Sequence, residues 1–376
     1  MTDTEKLLRE LIALPSVNPA FLPANDPRAG EKRVAEFLAA TAAQAGLDVC
    51  FQSVLPGRAN LIATLRAGGR ARRRILLAPH LDTVPAAAEE QYAPRVQNGR
   101  VYGRGACDTK GSAAAMLTAL RQLAAGGPRP AETEIVFAGL VDEEQAQAGS
   151  RSLAAGGMKA DLAIVGEPTR LQIVTAHKGT LWLDLETRGK AAHGARPELG
   201  RNAIHEMARV VCLLETVYAR GLRRRRHPLL GHGTVNVGVI AGGAQPNIVP
   251  DFCRTRVDRR TLPGETGRSA RAELRSFLRA HKLRVRVAEE KQSACLPMET
   301  DARLPLVRRF FQVAGQKKAA GVDYFCDASV LAAAGIPSVV FGPGDIAQAH
   351  TADEWIARGS LEEATALLTR FLRSLP

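Results

Sequence analysis

The hydrophobic and polar positions along the chain follow two different patterns. Four short runs, at residues 75–78, 134–141, 162–165 and 336–341, are mainly apolar. Such runs are typical of parallel strands that are buried on both faces of an α/β sheet. A cluster of polar residues follows each run. Because ligands bind at the carboxyl ends of the strands in open α/β sheets, we expect these clusters to share one edge of the sheet.

From residue 177 to residue 290 the pattern changes. Residues 177–187 and 234–240 alternate apolar and polar positions, which predicts half-exposed strands. Residues 202–218 and 268–281 predict amphipathic helices, and residues 283–287 predict a last strand. Strands covered by two helices suit a small α+β domain. We therefore predict two domains, one built from residues 1–176 and 291–376 and the other an insertion at residues 177–290, which also suits a chain of 376 residues.

The polar clusters contain the residue types that bind divalent metal ions. The motifs are Ala78-Pro79-His80-Leu81-Asp82, Gly105-Ala106-Cys107-Asp108-Thr109, Val141-Asp142-Glu143-Glu144, Val165-Gly166-Glu167-Pro168 and Ala349-His350-Thr351. Two histidines and three carboxylates can hold a pair of divalent ions, which activates water at neutral pH. Taken singly, a histidine beside a proline is more often structural, and a Glu-Glu pair is more often a solvated loop. The position of four of these motifs after predicted strands favours a single metal site.

Together these motifs resemble those of the M20 family of metallopeptidases and amidohydrolases, from the first helix to Asp353-Glu354-Trp355. The resemblance implies an α/β fold, with a zinc-peptidase-like catalytic domain that has a mostly parallel central sheet. The insertion would be an α+β lid domain that carries a homodimer contact. The resemblance also implies two divalent ions per chain, zinc or alternatively cobalt or manganese. One ion would be held by His80 and Glu167 and the other by Glu144 and His350, with Asp108 bridging the two.

The resemblance also implies catalytic and substrate roles. Glu143 would be the general base, and Asp82 would orient His80. His193, in the segment Gly189-Lys190-Ala191-Ala192-His193-Gly194, would donate a hydrogen bond to the oxyanion in its own or the partner subunit; the alternative is an ordinary turn histidine. Asn247 would contact the substrate. Arg260 would bind a substrate carboxylate, or alternatively would only pair with Asp258.

The implied function is hydrolysis of the amide bond of an N-acyl amino acid by a metal-dependent deacetylase or desuccinylase. The segment Phe341-Gly342-Pro343-Gly344-Asp345-Ile346 favours an acetylornithine deacetylase-like enzyme. The segment Tyr324-Phe325-Cys326-Asp327-Ala328 departs from the Gly-Thr type common in the family, so the acyl group stays open. The sequence also does not fix the amino acid or the metal. A dizinc carboxypeptidase or dipeptidase acting on short peptides is the second hypothesis. The third is a non-catalytic metabolite-binding member, although every proposed ligand and Glu143 are present.

Composition limits the kinds of binding partner that we expect. The net charge of +13, with runs at Arg72–Arg74 and Arg223–Arg226, raises the hypothesis of nucleic-acid binding. Because nucleic-acid-binding motifs are absent from the sequence and aromatic residues are only 5%, we expect no nucleic-acid partner and assign the charge to solvated loops that attract anionic substrates.

The N-terminal residues lack a signal-peptide pattern, and no apolar stretch approaches the about 20 residues that cross a bilayer. We therefore expect a cytoplasmic protein with no membrane contact. The six cysteines contain no Cys-x-x-Cys pair, and we expect neither a disulfide framework nor a ligand role for Cys107.

Overall fold

The structure is a computed structural model that describes residues 1–126, 129–288 and 295–376. Its α-helices are α1 (Asp3–Ile12), α2 (Lys32–Gln44), α3 (Lys110–Ala125), α4 (Ala148–Ala155), α5 (Ala203–Leu213), α6 (Ala219–Leu222), α7 (Gly267–Ala280), α8 (Pro305–Ala314), α9 (Ala328–Ala333) and α10 (Arg358–Arg373). A π-helical turn, Leu214–Tyr218, joins α5 to α6. None of the helices in the described ranges combines the length and the apolar character that a membrane span needs.

The strands are β1 (Asp48–Leu55), β2 (Arg58–Leu65), β3 (Arg73–Pro79), β4 (Arg95–Gln97), β5 (Arg100–Tyr102), β6 (Thr133–Gly139), β7 (Leu162–Gly166), β8 (Val174–His177), β9 (Gly179–Arg188), β10 (Thr234–Gly242), β11 (Phe252–Thr261), β12 (Val285–Val287), β13 (Met298–Glu299), β14 (Ala320–Val322), β15 (Ser338–Val340) and β16 (Trp355–Ala357). The described residues divide into two compact units. The first comprises residues 1–175, 299–320 and 326–376, and the second comprises residues 176–298 and 321–325. The domain boundary predicted between residues 290 and 291 lies outside the described residues.

In the first unit, neighbouring strands of the central sheet follow the order β1-β2-β6-β3-β7-β15, and the sheet continues from β15 to β8 and β13. β3 pairs in parallel with both β6 and β7, and β15 pairs in parallel with β7. The α/β fold and the parallel arrangement of the four apolar runs are therefore confirmed. The sheet as a whole is mixed, because β1, β2 and β6 pair antiparallel. Pro56 and Gly57 join β1 to β2 in a tight turn, which leaves no length for the crossover that parallel pairing needs.

Helices cover both faces of this sheet. α1, α2, α3, α8 and α10 pack on one face, against side chains such as Ile75, Leu77 and Phe137. Successive strand residues point to opposite faces, so Leu76 and Val165, which are also buried, face the other side, where α9 contacts β7 and β15. Each fully buried leucine or phenylalanine contributes about 1.5–3 kcal/mol. This two-sided burial explains why the strands are continuous apolar runs.

The second unit contains an antiparallel sheet with the strand order β10-β11-β9-β12. β9 and β10 confirm that the two alternating segments form strands. α5 and α7 confirm the two amphipathic helices, whose apolar side chains pack on the sheet beside Leu183 and Val257. The central strand β11 was not predicted. Its more buried and less buried positions alternate, but arginines obscure this pattern in the sequence. Even Arg259 is buried, because Glu265 and the hydroxyl of Tyr218 accept hydrogen bonds from it.

Candidate metal centre

The first half of the site lies where two neighbouring parallel strands end. His80 directly follows β3, and Glu167 directly follows β7. The Nε2 atom of His80 lies 3.1 Å from Oδ1 of Asp108 and 3.9 Å from Oε1 of Glu167. All three residues are buried. One imidazole and two carboxylates therefore form a single group at the edge of the sheet that the strand pattern predicted.

A second group shares Asp108 with the first. The Nε2 atom of His350 lies 3.3 Å from Oδ2 of Asp108 and 3.2 Å from Oε2 of Glu144. Asp108 thus presents one oxygen to His80 and the other to His350. Three possible ligand atoms lie within 4.8 Å of one another, one from each of His80, Asp108 and Glu144. The structure therefore brings together all five residues that the sequence motifs proposed as ligands.

The electrostatics of this group suit divalent cations. Burial lowers the pKa of His80, but the hydrogen bond to Asp108 and the nearby carboxylate of Asp82 outweigh this effect and raise that pKa well above its usual value. Hydrogen bonds to Asp108 and Glu144 raise the pKa of His350 to about 10. In the metal-free chain, protons on both imidazoles therefore balance the carboxylates. Metal ions can replace these protons, since ligand histidines bind as neutral imidazoles.

One buried atom further supports a fit to a metal ion. Oε1 of Glu144 has no hydrogen-bond partner in the part of the chain that the structure describes. A buried carboxylate oxygen without a partner is costly unless a cation or a donor reaches it. Nitrogen and oxygen ligands of this kind bind zinc, and oxygen-rich sets also accept cobalt or manganese. The residues present therefore fit a divalent metal site.

Asp82 holds the turn that carries the two neighbouring glutamates. Its Oδ1 accepts a hydrogen bond from the backbone N–H of Glu143, and its Oδ2 accepts one from the N–H of Glu144, both at 3.1 Å. For His80, the nearest acceptor to Nδ1 is the backbone carbonyl of Asp82 at 3.0 Å, whereas the Asp82 carboxylate is 3.6 Å away. A hydrogen bond from Nδ1 to that carbonyl leaves Nε2 free to face Asp108. The carbonyl and the carboxylate of Asp82 thus hold different parts of the site.

Glu354 organises the loop that presents Asp108. Its buried carboxylate accepts hydrogen bonds from the backbone N–H groups of Gly105, Cys107 and Asp108, at 2.8–3.0 Å. It also accepts one from Nη1 of the buried Arg104, at 2.7 Å. Glu354 had no predicted role, although it lies only four residues after His350. Its position in the same motif as a proposed ligand was the available signal.

Glu143 and Asp327 add two more carboxylates at this edge. Burial, and then the charges of Glu167, Asp327 and Glu144, raise the pKa of Glu143 well above its usual value, against the effect of His80. Burial raises the pKa of Asp327 to about 6, and its Oδ1 accepts a hydrogen bond from Ser150 at 2.5 Å. Asp327 directly precedes α9. In the sequence, this segment stood out only as a departure from the family pattern.

The other three predicted residues lie in the second unit. The N–H of Gly194 donates to the carbonyl of Asn247 at 2.7 Å, so His193 and Asn247 stand on adjacent backbone segments. Both side chains are exposed. Nε of Arg260 donates to Oδ2 of Asp258 at 3.0 Å, and the guanidinium carbon lies 5.9 Å from the centre of the Phe325 ring. The pairing of Arg260 with Asp258 is thus observed, and it engages only one of the three guanidinium nitrogens.

Comparison with known proteins identifies a matching family and similar proteins. Residues 76–374 match the model of peptidase family M20/M25/M40. An acetylornithine deacetylase of Myxococcus xanthus is 34% identical and aligns over 83% of each chain. An acetylornithine deacetylase of Proteus mirabilis (strain HI4320) is 31% identical over 98% of this chain and 96% of its own.

Solved structures share the fold. Aminopeptidase PepT from Bacillus cereus ATCC 10987 superposes with a TM-score of 0.78 at 22% identity, over 98% of this chain and 97% of its own. The M20 family metallo-carboxypeptidase Sso-CP2 from Sulfolobus solfataricus gives the same TM-score at 19% identity, over 99% of each chain.

Proposed function

We propose that this chain, which belongs to peptidase family M20/M25/M40 and is a hydrolase of that family, removes the acyl group of an N-acyl amino acid at a two-metal centre. The observation that carries the proposal is the position of Asp108, whose two oxygens face two separate histidines. A carboxylate placed in this way can hold two cations close together. The names of the curated relatives support an acyl amino acid as the substrate.

His80 and Glu167 would hold one ion, His350 and Glu144 the other, and Asp108 both. When bound, zinc or a similar divalent ion lowers the pKa of water, to about 7 in favourable sites, and polarises the scissile carbonyl. The positions of the ligands, either directly after strands or in loops fixed by Asp82 and Glu354, support this assignment.

Glu143 would act as the general base. It lies on the same turn as Glu144, and the hydrogen bond from its backbone N–H to Asp82 fixes that turn beside His80. Its side chain would take a proton from the attacking water and deliver it to the leaving amine.

The second unit would supply substrate contacts. His193 would donate a hydrogen bond to the oxyanion and Asn247 would contact the substrate, in the same subunit or across a homodimer formed through this unit. Because Asp258 engages only Nε of Arg260, the two terminal nitrogens could bind the carboxylate of the amino acid as a fork.

A substrate panel tests the proposal. Metal-replete protein would be assayed for amine release from N-acetylornithine, N-succinyl-diaminopimelate, other N-acyl amino acids and dipeptides. We expect kcat/KM for at least one N-acyl amino acid to exceed that for every dipeptide. Preference for dipeptides would assign the protein to the peptidase alternative. Tight metabolite binding without turnover, in protein that carries its metal ions, would contradict an enzymatic role.

A further inference from the structure

Asn18 is fully buried between the two loops that carry His80 and Glu144. Its Nδ2 donates one hydrogen bond to Oδ2 of Asp82 at 2.8 Å and another to Oδ1 of Asp142 at 3.0 Å. Its Oδ1 accepts a hydrogen bond from the N–H of Ala20 at 3.1 Å, which fixes the orientation of the amide. A single side chain from a third segment thus joins the two loops.

Asp142 is held on its other sides as well. It adopts a left-handed backbone with φ of 69°, which is uncommon for residues other than glycine. Its carboxylate accepts a hydrogen bond from Arg58 at 2.9 Å, and its N–H donates to Glu31 at 3.2 Å. Arg58 and Glu31 also pair with each other, at 2.5 Å. The residue directly before Glu143 therefore has little freedom to move.

We propose that Asn18 is a positioning residue that fixes the His80–Asp82 loop against the Asp142–Glu144 turn. Asn18 acts through the two carboxylates that it contacts. Asp82 passes the constraint to His80 through its backbone carbonyl, and to the N–H groups of Glu143 and Glu144 through its carboxylate. The inference rests on the proposed two-metal function.

The chemistry of the position explains why an amide is required. Asp82 and Asp142 are both buried, and each accepts a hydrogen bond from the Asn18 amide in addition to those from its other donors. A neutral amide supplies two hydrogens without adding charge. Aspartate at position 18 would place a third carboxylate against the first two, serine would supply one hydrogen, and alanine would supply none. Asn18 is therefore matched to two acceptors at once.

Ser16 provides a matched control. It lies in the same segment, is fully buried, and donates to the carbonyl of Leu81 at 2.7 Å. The substitution Ser16→Ala thus removes a hydrogen bond to the same loop without touching either carboxylate. Both variants should lose some stability in the metal-free state, which urea unfolding in excess chelator measures. Only Asn18→Ala should change the positions of the side chains that are proposed to bind metal ions.

The deciding measurement is the affinity of folded, chelator-stripped protein for Zn²⁺, by competition with a chromophoric chelator. We expect Asn18→Ala to weaken Zn²⁺ binding about tenfold, the lower end of the effect of losing an outer partner of a metal ligand. Ser16→Ala should stay within about twofold of the wild type on the same measure. Equal affinities in Asn18→Ala and Ser16→Ala would overturn the inference. If Asn18→Ala does not fold, Asn18→Ser, which retains one donor, gives the same comparison.

A double variant tests whether Asn18 acts through Asp82. In an Asp82→Ala background, Asn18→Ala should cost less than the about tenfold loss of Zn²⁺ affinity that it causes alone, because only its contact with Asp142 is then left to lose. A full tenfold additional loss would contradict that route. Wild-type protein that binds no Zn²⁺ would refute the proposed function itself. Wild-type protein that binds two ions, with an unchanged Asn18→Ala variant, would refute only the role of Asn18.

Discussion

Removal of the Glu354 carboxylate should destabilise the loop that presents Asp108. In the structure this carboxylate accepts three backbone hydrogen bonds, from residues 105, 107 and 108, and pairs with Arg104. Both charged groups are buried, with residue exposures of 1% for Glu354 and 2% for Arg104. Glu354→Ala therefore leaves one buried cation unpaired and three N–H groups without their acceptor.

The expected loss follows from these contacts. Breaking a buried ion pair by removing one partner costs about 3–5 kcal/mol. Each abandoned N–H group would add about 1–3 kcal/mol if no water replaced the carboxylate. Alanine frees space for water beside all three N–H groups, so we take the ion-pair cost of about 3–5 kcal/mol as the expected decrease in the free energy of unfolding. The variant Arg104→Met/Glu354→Gln should lose less than the sum of its single changes, because neither charge is left unpaired.

Urea unfolding of metal-free protein in excess chelator measures this loss without a contribution from bound ions. Glu363→Ala is the matched control, since Glu363 pairs with Arg370 at 3.2 Å on the surface and its loss should cost no more than about 0.5 kcal/mol. A decrease below about 1 kcal/mol for Glu354→Ala would refute the reasoning, because the Arg104–Glu354 pair would then not hold the loop.

Three further outcomes are expected. Glu143→Gln should retain its metal ions in elemental analysis and lose at least about 100-fold in kcat, because it removes only the proton shuttle; near-normal turnover would disprove the assigned base. Asp108→Ala should weaken both ion sites in a metal titration, since its oxygens face both histidines; unchanged stoichiometry and affinity would argue against a bridge. Burial lowers the pKa of His177 from 6.5 to about 4. As the pH falls between those values, the unfolded chain gains a proton that the folded chain does not, so stability should fall by up to about 3 kcal/mol more than in His177→Asn. Parallel stability curves for His177→Asn and the wild type would contradict the lowered pKa.

The buried parallel strands and the proposed ligands were predictable because local patterns mark both. Each buried parallel strand is a short apolar run, and His80 and Glu167 directly follow two of them. The antiparallel strands at the edge of the sheet and the central strand β11 were not anticipated. In β11 the buried Arg259 interrupts the apolar pattern, and its partners Glu265 and Tyr218 become neighbours only in the folded chain.

The supporting polar network was not predictable from spacing. Asn18, Arg58, Asp82 and Asp142 lie in four separate segments, and no local pattern shows that they meet. The same limit applies to Asp82, whose motif implied that its carboxylate orients His80, whereas its backbone carbonyl lies closer. Short motifs identify the groups that meet at the sheet edge, but the contacts that hold them depend on long-range packing.

Anomalous X-ray diffraction from crystals grown with Zn²⁺ tests the central claim most directly. Data collected on both sides of the zinc absorption edge would locate each ion. The account predicts two zinc peaks per chain, one beside His80 and Glu167 and the other beside Glu144 and His350, with Asp108 in contact with both. A single peak, or two peaks without Asp108 between them, in crystals of active protein would contradict it.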